Sequence, residues 1–138
     1  MNKIFLKFKY RNQLSKAILN KRKLKINIGC GTDYKKGWIN IDNNSDHNIE
    51  RLDLNWDMRS PLPFKANSVD FVYNEHFFEH LTVADGQAVM KDIMRVLKLG
   101  GVMRIAMPDL KEAVGAYYNK GWKNREFMLI TLMLIDVN

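Results

Sequence analysis

Two stretches of this 138-residue sequence carry residue types from which a site could be built. The first is Gly29-Cys30-Gly31, with Asp42 eleven residues beyond Gly31. A glycine pair ending an apolar run lets the backbone approach a ligand closely, because a Cβ there would collide. An acid at the end of the next apolar run can accept hydrogen bonds from the two hydroxyls of a ribose. A dinucleotide-binding unit would place that acid about twenty residues on, after a full helix, with a third glycine where Tyr34 stands. Without that helix a pyrophosphate lacks its usual seat. A cofactor with adenosine but no phosphate fits better, and Asp33 would suit a cationic one.

The second stretch runs Asn74-Glu75-His76-Phe77-Phe78-Glu79-His80. Glu75, His76 and His80 are candidate general bases for a hydroxyl acceptor. The same residues match H-x-x-E-H, a zinc-protease pattern in which two histidines lie one helical turn apart. That pattern needs a longer helix and a distant third ligand, so no metal site is expected. Glu79-His80 is read instead as ordering the turn. Cys30 has no base placed beside it by sequence and reads as a small packed residue.

The elements that position these residues are strands with intervening crossovers. Leu24 to Ile28 alternates and is β-branched, Trp38 to Ile41 follows closely, and Arg51 to Leu54 is a weak third strand. Val69 to Tyr73 is a fourth and Val102 to Met107 a fifth. Between the last two, Thr82-Val83-Ala84-Asp85 has capping-box form. Met90, Ile93, Met94 and Leu97 then repeat with helical period up to a stop at Gly100-Gly101. Leu110 to Tyr118 and roughly Asn124 to Ile135 read as further helices. Connections too long for hairpins indicate a parallel α/β sheet. In such sheets ligands bind beyond the carboxyl ends of the strands, where both stretches fall.

Charge and composition narrow the partners. The net charge is +7, yet residues 1–25 hold nine Lys/Arg and no acid, so the remainder carries −2. The basic character therefore belongs to one terminal segment, where Tyr10, Leu14, Ala17 and Ile18 put an apolar stripe on a short helix. That segment could touch anionic lipid headgroups at a membrane periphery, RNA or a phosphorylated substrate, or serve as a solvated face. The longest apolar run, Phe127 to Ile135, is far short of the ~20 residues that cross a bilayer. A single cysteine precludes an intrachain disulfide and suits a cytoplasmic setting.

The sequence resembles the class I S-adenosylmethionine-dependent methyltransferases, and within them the small bacterial methyltransferase-domain group described as type 11. The resemblance rests on six stretches in the family's order: Ile26 to Gly31, Gly37 to Asp42, Pro61 to Phe64, Ser68 to Val72, Phe78 to Leu81 and Arg95 to Gly101. It implies a Rossmann-like, mostly parallel sheet flanked by helices. Residues 1–23 would be a basic N-terminal helix or extension, and residues 24–138 the methyltransferase domain. By the same resemblance, Gly29, Cys30 and Gly31 form the loop against the methionine moiety of S-adenosylmethionine. Asp42 binds the ribose hydroxyls, Asp53 and Leu54 meet the adenine, and Asn74 to His76 line the pocket where donor meets acceptor. Asn27 stands where the family often has an acid, and Asp33 where a third glycine is common.

The family fold adds a sixth strand and an antiparallel seventh, and none of the 29 residues after Asp109 reads as that hairpin. The expectation is a C-terminally truncated domain whose open sheet edge favours self-association. Asn74 lacks the following proline pair of amino-directed nucleic-acid methyltransferases, which disfavours nucleic acid as substrate. Two functions remain. One is methyl transfer to a small-molecule, sugar or lipid-linked acceptor. The other is a non-catalytic remnant with a binding or partner role.

Overall fold

The computed structural model describes residues 23–43, 49, 51–118 and 129–136. The expected basic helix near the N-terminus lies outside these residues. Six strands are described: β1 (Lys25–Ile28), β2 (Ile39–Asp42), β3 (Leu54–Asn55), β4 (Val69–Glu75), β5 (Leu97–Pro108) and β6 (Leu129–Asp136). They form one sheet in the order β3-β2-β1-β4-β5-β6. The first five run parallel and β6 antiparallel to β5. Helix α1 (Val83–Val96) joins β4 to β5, and α2 (Leu110–Tyr118) follows β5. No helix among the described residues is long and apolar enough to cross a membrane.

Strand register sorts the side chains into two faces, because paired residues on neighbouring strands project to the same side. Ile26 pairs with Ile39 and Val72, Ile28 with Ile41 and Asn74, Val72 with Met103 and Asn74 with Ile105. This face is apolar and buried, and its core cluster includes Val89, Ile93 and Val96 of α1. Each fully buried Ile or Val contributes about 1.5–3 kcal/mol relative to exposure. Asn74 is the one polar residue in those rows. The opposite face carries Lys25, Asn27, Asn40, Tyr73, Glu75 and Arg104. It is polar and aromatic, with Trp38 edge-on to Tyr73.

Helix α1 begins as its capping box dictates: Thr82 Oγ1 accepts from the Asp85 amide at 3.1 Å and donates to the Asp85 carboxylate at 2.7 Å. Its Asp92 and Arg95, beside the buried face, anchor the proline-punctuated loop. Arg95 donates to the carbonyls of Phe64 and Leu62, both at 2.9 Å, while Asp92 accepts from the Leu62 amide at 2.6 Å. At the base of β4, Asp70 accepts from the Leu24 amide at 2.8 Å and from Lys98 Nζ at 2.8 and 2.9 Å.

Two expectations are corrected. Helix α1 stops at Val96, four residues before Gly100, because Leu97 turns extended (φ −63°, ψ 139°) and pairs with Val69. Gly100 and Gly101 shape the start of β5 rather than a helix end. Gly100 has φ +71°, and a Cβ on Gly101 would lie 2.8 Å from the Lys98 carbonyl oxygen. The second correction concerns the helix read over Asn124 to Ile135. Residues 129–136 form β6, and residues 124–128 lie outside the described set. A short apolar run does not distinguish helix from strand by period. The unpaired amides and carbonyls along the edge of β5 decide it here. An antiparallel strand therefore follows where none was read, and the sheet edge on that side passes from β5 to β6.

Candidate functional site

The link from β1 to β2 holds no helix and is built from polar side chains instead. Asn27 Nδ2 donates to the Asp33 carbonyl at 3.0 Å and to Asn40 Oδ1 at 3.1 Å. Asn40 Oδ1 also accepts from the Lys35 amide at 2.9 Å, and Asn40 Nδ2 donates to the Lys35 carbonyl at 3.1 Å. Asp53 completes the knot. Its Oδ2 accepts from the Asn40 amide and from Asn40 Nδ2, both at 2.9 Å, and its Oδ1 from the Tyr34 hydroxyl at 3.1 Å. Asn27 and Asn40 are buried with their amides paired, which is what makes such burial tolerable.

This knot presents the glycine loop. Gly29 has φ +62°, and a Cβ there would come within 2.4 Å of the Phe77 ring. Gly31 has φ +49°, faces open space, and donates its amide to Asp42 Oδ2 at 2.7 Å. Asp42 Oδ1 accepts the Asn43 amide at 2.6 Å, so two backbone N–H groups fix the carboxylate at the end of β2. Over the loop lies a cleft of about 330 Å³ bordered by Gly29, Cys30, Gly31, Thr32, Asp33, Glu75, His76 and Asn27. Cys30 is buried, and burial, reinforced by the Asp42 charge, pushes its thiol up to about 12. It is no nucleophile at neutral pH.

The far wall comes from the end of β4. Glu75 accepts a hydrogen bond from the Tyr73 hydroxyl, and burial followed by that carboxylate pushes the phenol up to about 12. His76 leaves the strand with φ +51° while its amide donates to the Ala106 carbonyl at 3.1 Å. Its Nδ1 lies 3.0 Å from Glu79 Oε1. Glu79 and His80 belong to a three-residue 3-10 turn, Phe78–His80. The zinc pattern places both histidines on one helix, and here they sit on a strand exit and a separate turn. Asn74 is fully buried, and among the described residues neither its Nδ2 nor its Oδ1 has a hydrogen-bond partner.

The structure brings Gly29, Cys30, Gly31, Glu75 and His76 to one cleft and ties Asp42 to it through the Gly31 amide. Asp53 serves the asparagine knot, Leu54 is fully buried in the core, and Asn74 and His80 do not border the cleft. Thr32 lines the cleft without a prior signal. Glu79, read as ordering the turn after β4, pairs with His76 at the start of that turn, a partner the sequence reading does not name. The i, i+3 spacing in His-Phe-Phe-Glu was the available clue.

Comparison with known proteins places this geometry. The chain superposes on a Pyrococcus horikoshii protein with a TM-score of 0.56 at 19% identity, covering 86% of this chain and 65% of that one. It is also similar to an S-adenosylmethionine-dependent methyltransferase from Archaeoglobus fulgidus (TM-score 0.56, 21% identity, 91% and 69% covered). A third similar structure is a Haloferax volcanii methyltransferase, described as putative, in complex with the Trm112 activator (TM-score 0.52, 22% identity, 87% and 59% covered). The chain thus spans less than two-thirds of the length of the first and third of these proteins. No curated protein matches it in sequence. Residues 23–105 match the methyltransferase domain, a span running from the base of β1 through α1 into β5 and including every wall of the cleft. With glycine loop, acid-tipped β2 and histidine-tipped β4 all inside that match, the chain belongs to the methyltransferase domain family, in which S-adenosylmethionine is the methyl donor.

Proposed function

We propose that this chain binds S-adenosylmethionine across the ends of β1, β2 and β4 and transfers its methyl group to an acceptor. The acceptor is a small molecule, a sugar or a lipid-linked group. The observation that carries this reading is the bond from the Gly31 amide to Asp42. It welds the loop that tolerates no side chain at Gly29 to the carboxylate that this reading assigns to the ribose hydroxyls.

The residues present fit such a cofactor. The cleft of about 330 Å³ falls at the lower end of the range for small-molecule sites. Its acids, Asp33 and Glu75, favour a cationic ligand, and no helix N-terminus follows β1 to attract a pyrophosphate. The cofactor supplies a methyl group activated by a sulfonium. The chain's residues hold and orient: Asp42 takes ribose hydroxyls, the Gly29 to Gly31 backbone allows close approach, and His76 faces the acceptor side. Orientation of this kind accounts for much of the rate in a displacement at carbon.

Calorimetric titration with S-adenosylmethionine and S-adenosylhomocysteine, with NAD as control, tests the proposal. Micromolar binding of the first two and none of NAD is expected. Asp42→Ala should weaken both by ten-fold or more, about 1.4 kcal/mol, because it removes the ribose acceptor and releases the Gly31 amide. A folded protein that binds neither would overturn the reading in favour of a non-catalytic role.

A further inference from the structure

Three side chains at the end of β4 and its turn could act as a base, and their hydrogen bonds separate them. Glu75 is engaged by the Tyr73 hydroxyl. His80 closes the 3-10 turn and does not border the cleft. His76 borders it, half exposed, with one ring nitrogen held and the other unassigned.

The held nitrogen is Nδ1, 3.0 Å from Glu79 Oε1. An ionised carboxylate only accepts hydrogen bonds, so the proton of this contact must sit on Nδ1. In the neutral ring that leaves Nε2 as a bare lone pair. The turn that brings the two together is costly and well braced. His76 holds φ +51°, a region that non-glycine residues rarely occupy. Its amide is pinned to Ala106, and Phe77 and Phe78 stack edge-on with centroids 5.5 Å apart. Strain of this kind at a cleft wall is where function is to be sought.

We propose that Glu79 is a positioning residue that fixes His76 as the Nδ1–H tautomer, so that Nε2 serves as the base for an acceptor hydroxyl. This rests on the methyl-transfer reading and deepens it by naming the acceptor class as an alcohol or sugar hydroxyl. A base is needed only where the accepting atom must lose a proton. In the step, an oxygen lone pair forms the new C–O bond and the C–S bonding pair returns to sulfur, leaving a neutral thioether. The hydroxyl proton passes to Nε2, and the resulting imidazolium is stabilised by Glu79.

Long-range 15N–1H correlation spectra of the labelled chain, recorded well above the imidazole titration range, report the tautomer of each histidine. His76→Gln assigns the resonance. The expected result is Nδ1–H for His76 in the wild type, shifting to the Nε2–H form favoured by an unconstrained ring in Glu79→Ala. A wild-type ring already in the Nε2–H form would overturn the proposal, as would a tautomer that Glu79→Ala leaves unchanged. Should Glu79→Ala fail to fold, the wild-type spectrum alone decides. A parallel titration of the wild type with S-adenosylhomocysteine separates the two layers. Absence of binding with the Nδ1–H signature intact removes methyl transfer, and the base role with it, while a missing signature with binding intact removes only the base role.

Discussion

The two crossovers that flank β1 and β4 solve one problem by opposite means. Between β4 and β5 the chain spends a capped fourteen-residue helix whose Val89, Ile93 and Val96 seal the apolar face of the sheet. Between β1 and β2 it spends no helix and ties a short loop down with Asn27, Asn40 and Asp53 on the polar face. The helical crossover gains from burial, which is non-directional and spread over many contacts. The looped one gains from directional bonds, each worth only about 0.5–1.5 kcal/mol net but costly to leave unmade. Global stability should therefore reside in the first, and the exact shape of the glycine loop in the second.

The largest way to break this contrast is Ile93→Ala. The side chain is fully buried, and its loss should cost about 2–5 kcal/mol in urea unfolding. Asn40→Ala is expected to cost less, about 1–3 kcal/mol, since it orphans the Lys35 amide and removes one of the two donors to Asp53 Oδ2. Its distinguishing effect is local. Hydrogen exchange at Lys35 and Asn40 should quicken far more than at α1 amides, whereas Ile93→Ala should quicken exchange throughout. Equal acceleration in both variants would erase the distinction. Asn74→Leu probes the misplaced polar residue on the apolar face. Removing an unpaired buried amide should leave stability unchanged or raise it by up to about 2 kcal/mol in urea unfolding.

The smallest effect is electrostatic. Burial opposes ionisation of Asp70, but Lys98 and the Leu24 amide outweigh it and hold the carboxyl below its ordinary value of 3.8. A group depressed in the folded state adds stability above its unfolded value and loses it as pH falls through the folded one. The stability gap between wild type and Asp70→Asn should thus be constant near neutrality and close below about pH 3.8. A gap that persists at the lowest pH would assign the effect to packing.

Legibility in the sequence followed the same division. The strands of the apolar face and α1 were readable because period and capping are local signals: Thr82 and Asp85 do what their spacing says. The end of α1 was misread because Gly100-Gly101 looks like a helix stop, while the pairing of Leu97 with Val69 is a tertiary contact. β6 was missed for the same reason, since Leu129 to Asp136 is settled by the edge it meets. In the site, Gly29, Gly31 and Asp42 stood out by type and spacing. Asn40 did not. Nothing in an asparagine within Ile-Asn-Ile-Asp announces that its side chain will hold both backbone groups of Lys35, the Asn27 amide and the Asp53 carboxylate.

The backbone of His76 sets a tension between durability and use. At φ +51° a glycine would sit at ease, and relaxing that residue would lower the folded state by about 1 kcal/mol. Selection for robustness alone would drift position 76 away from histidine. Histidine at this position is therefore a cost to stability of about that size, carried where the chain borders the cleft.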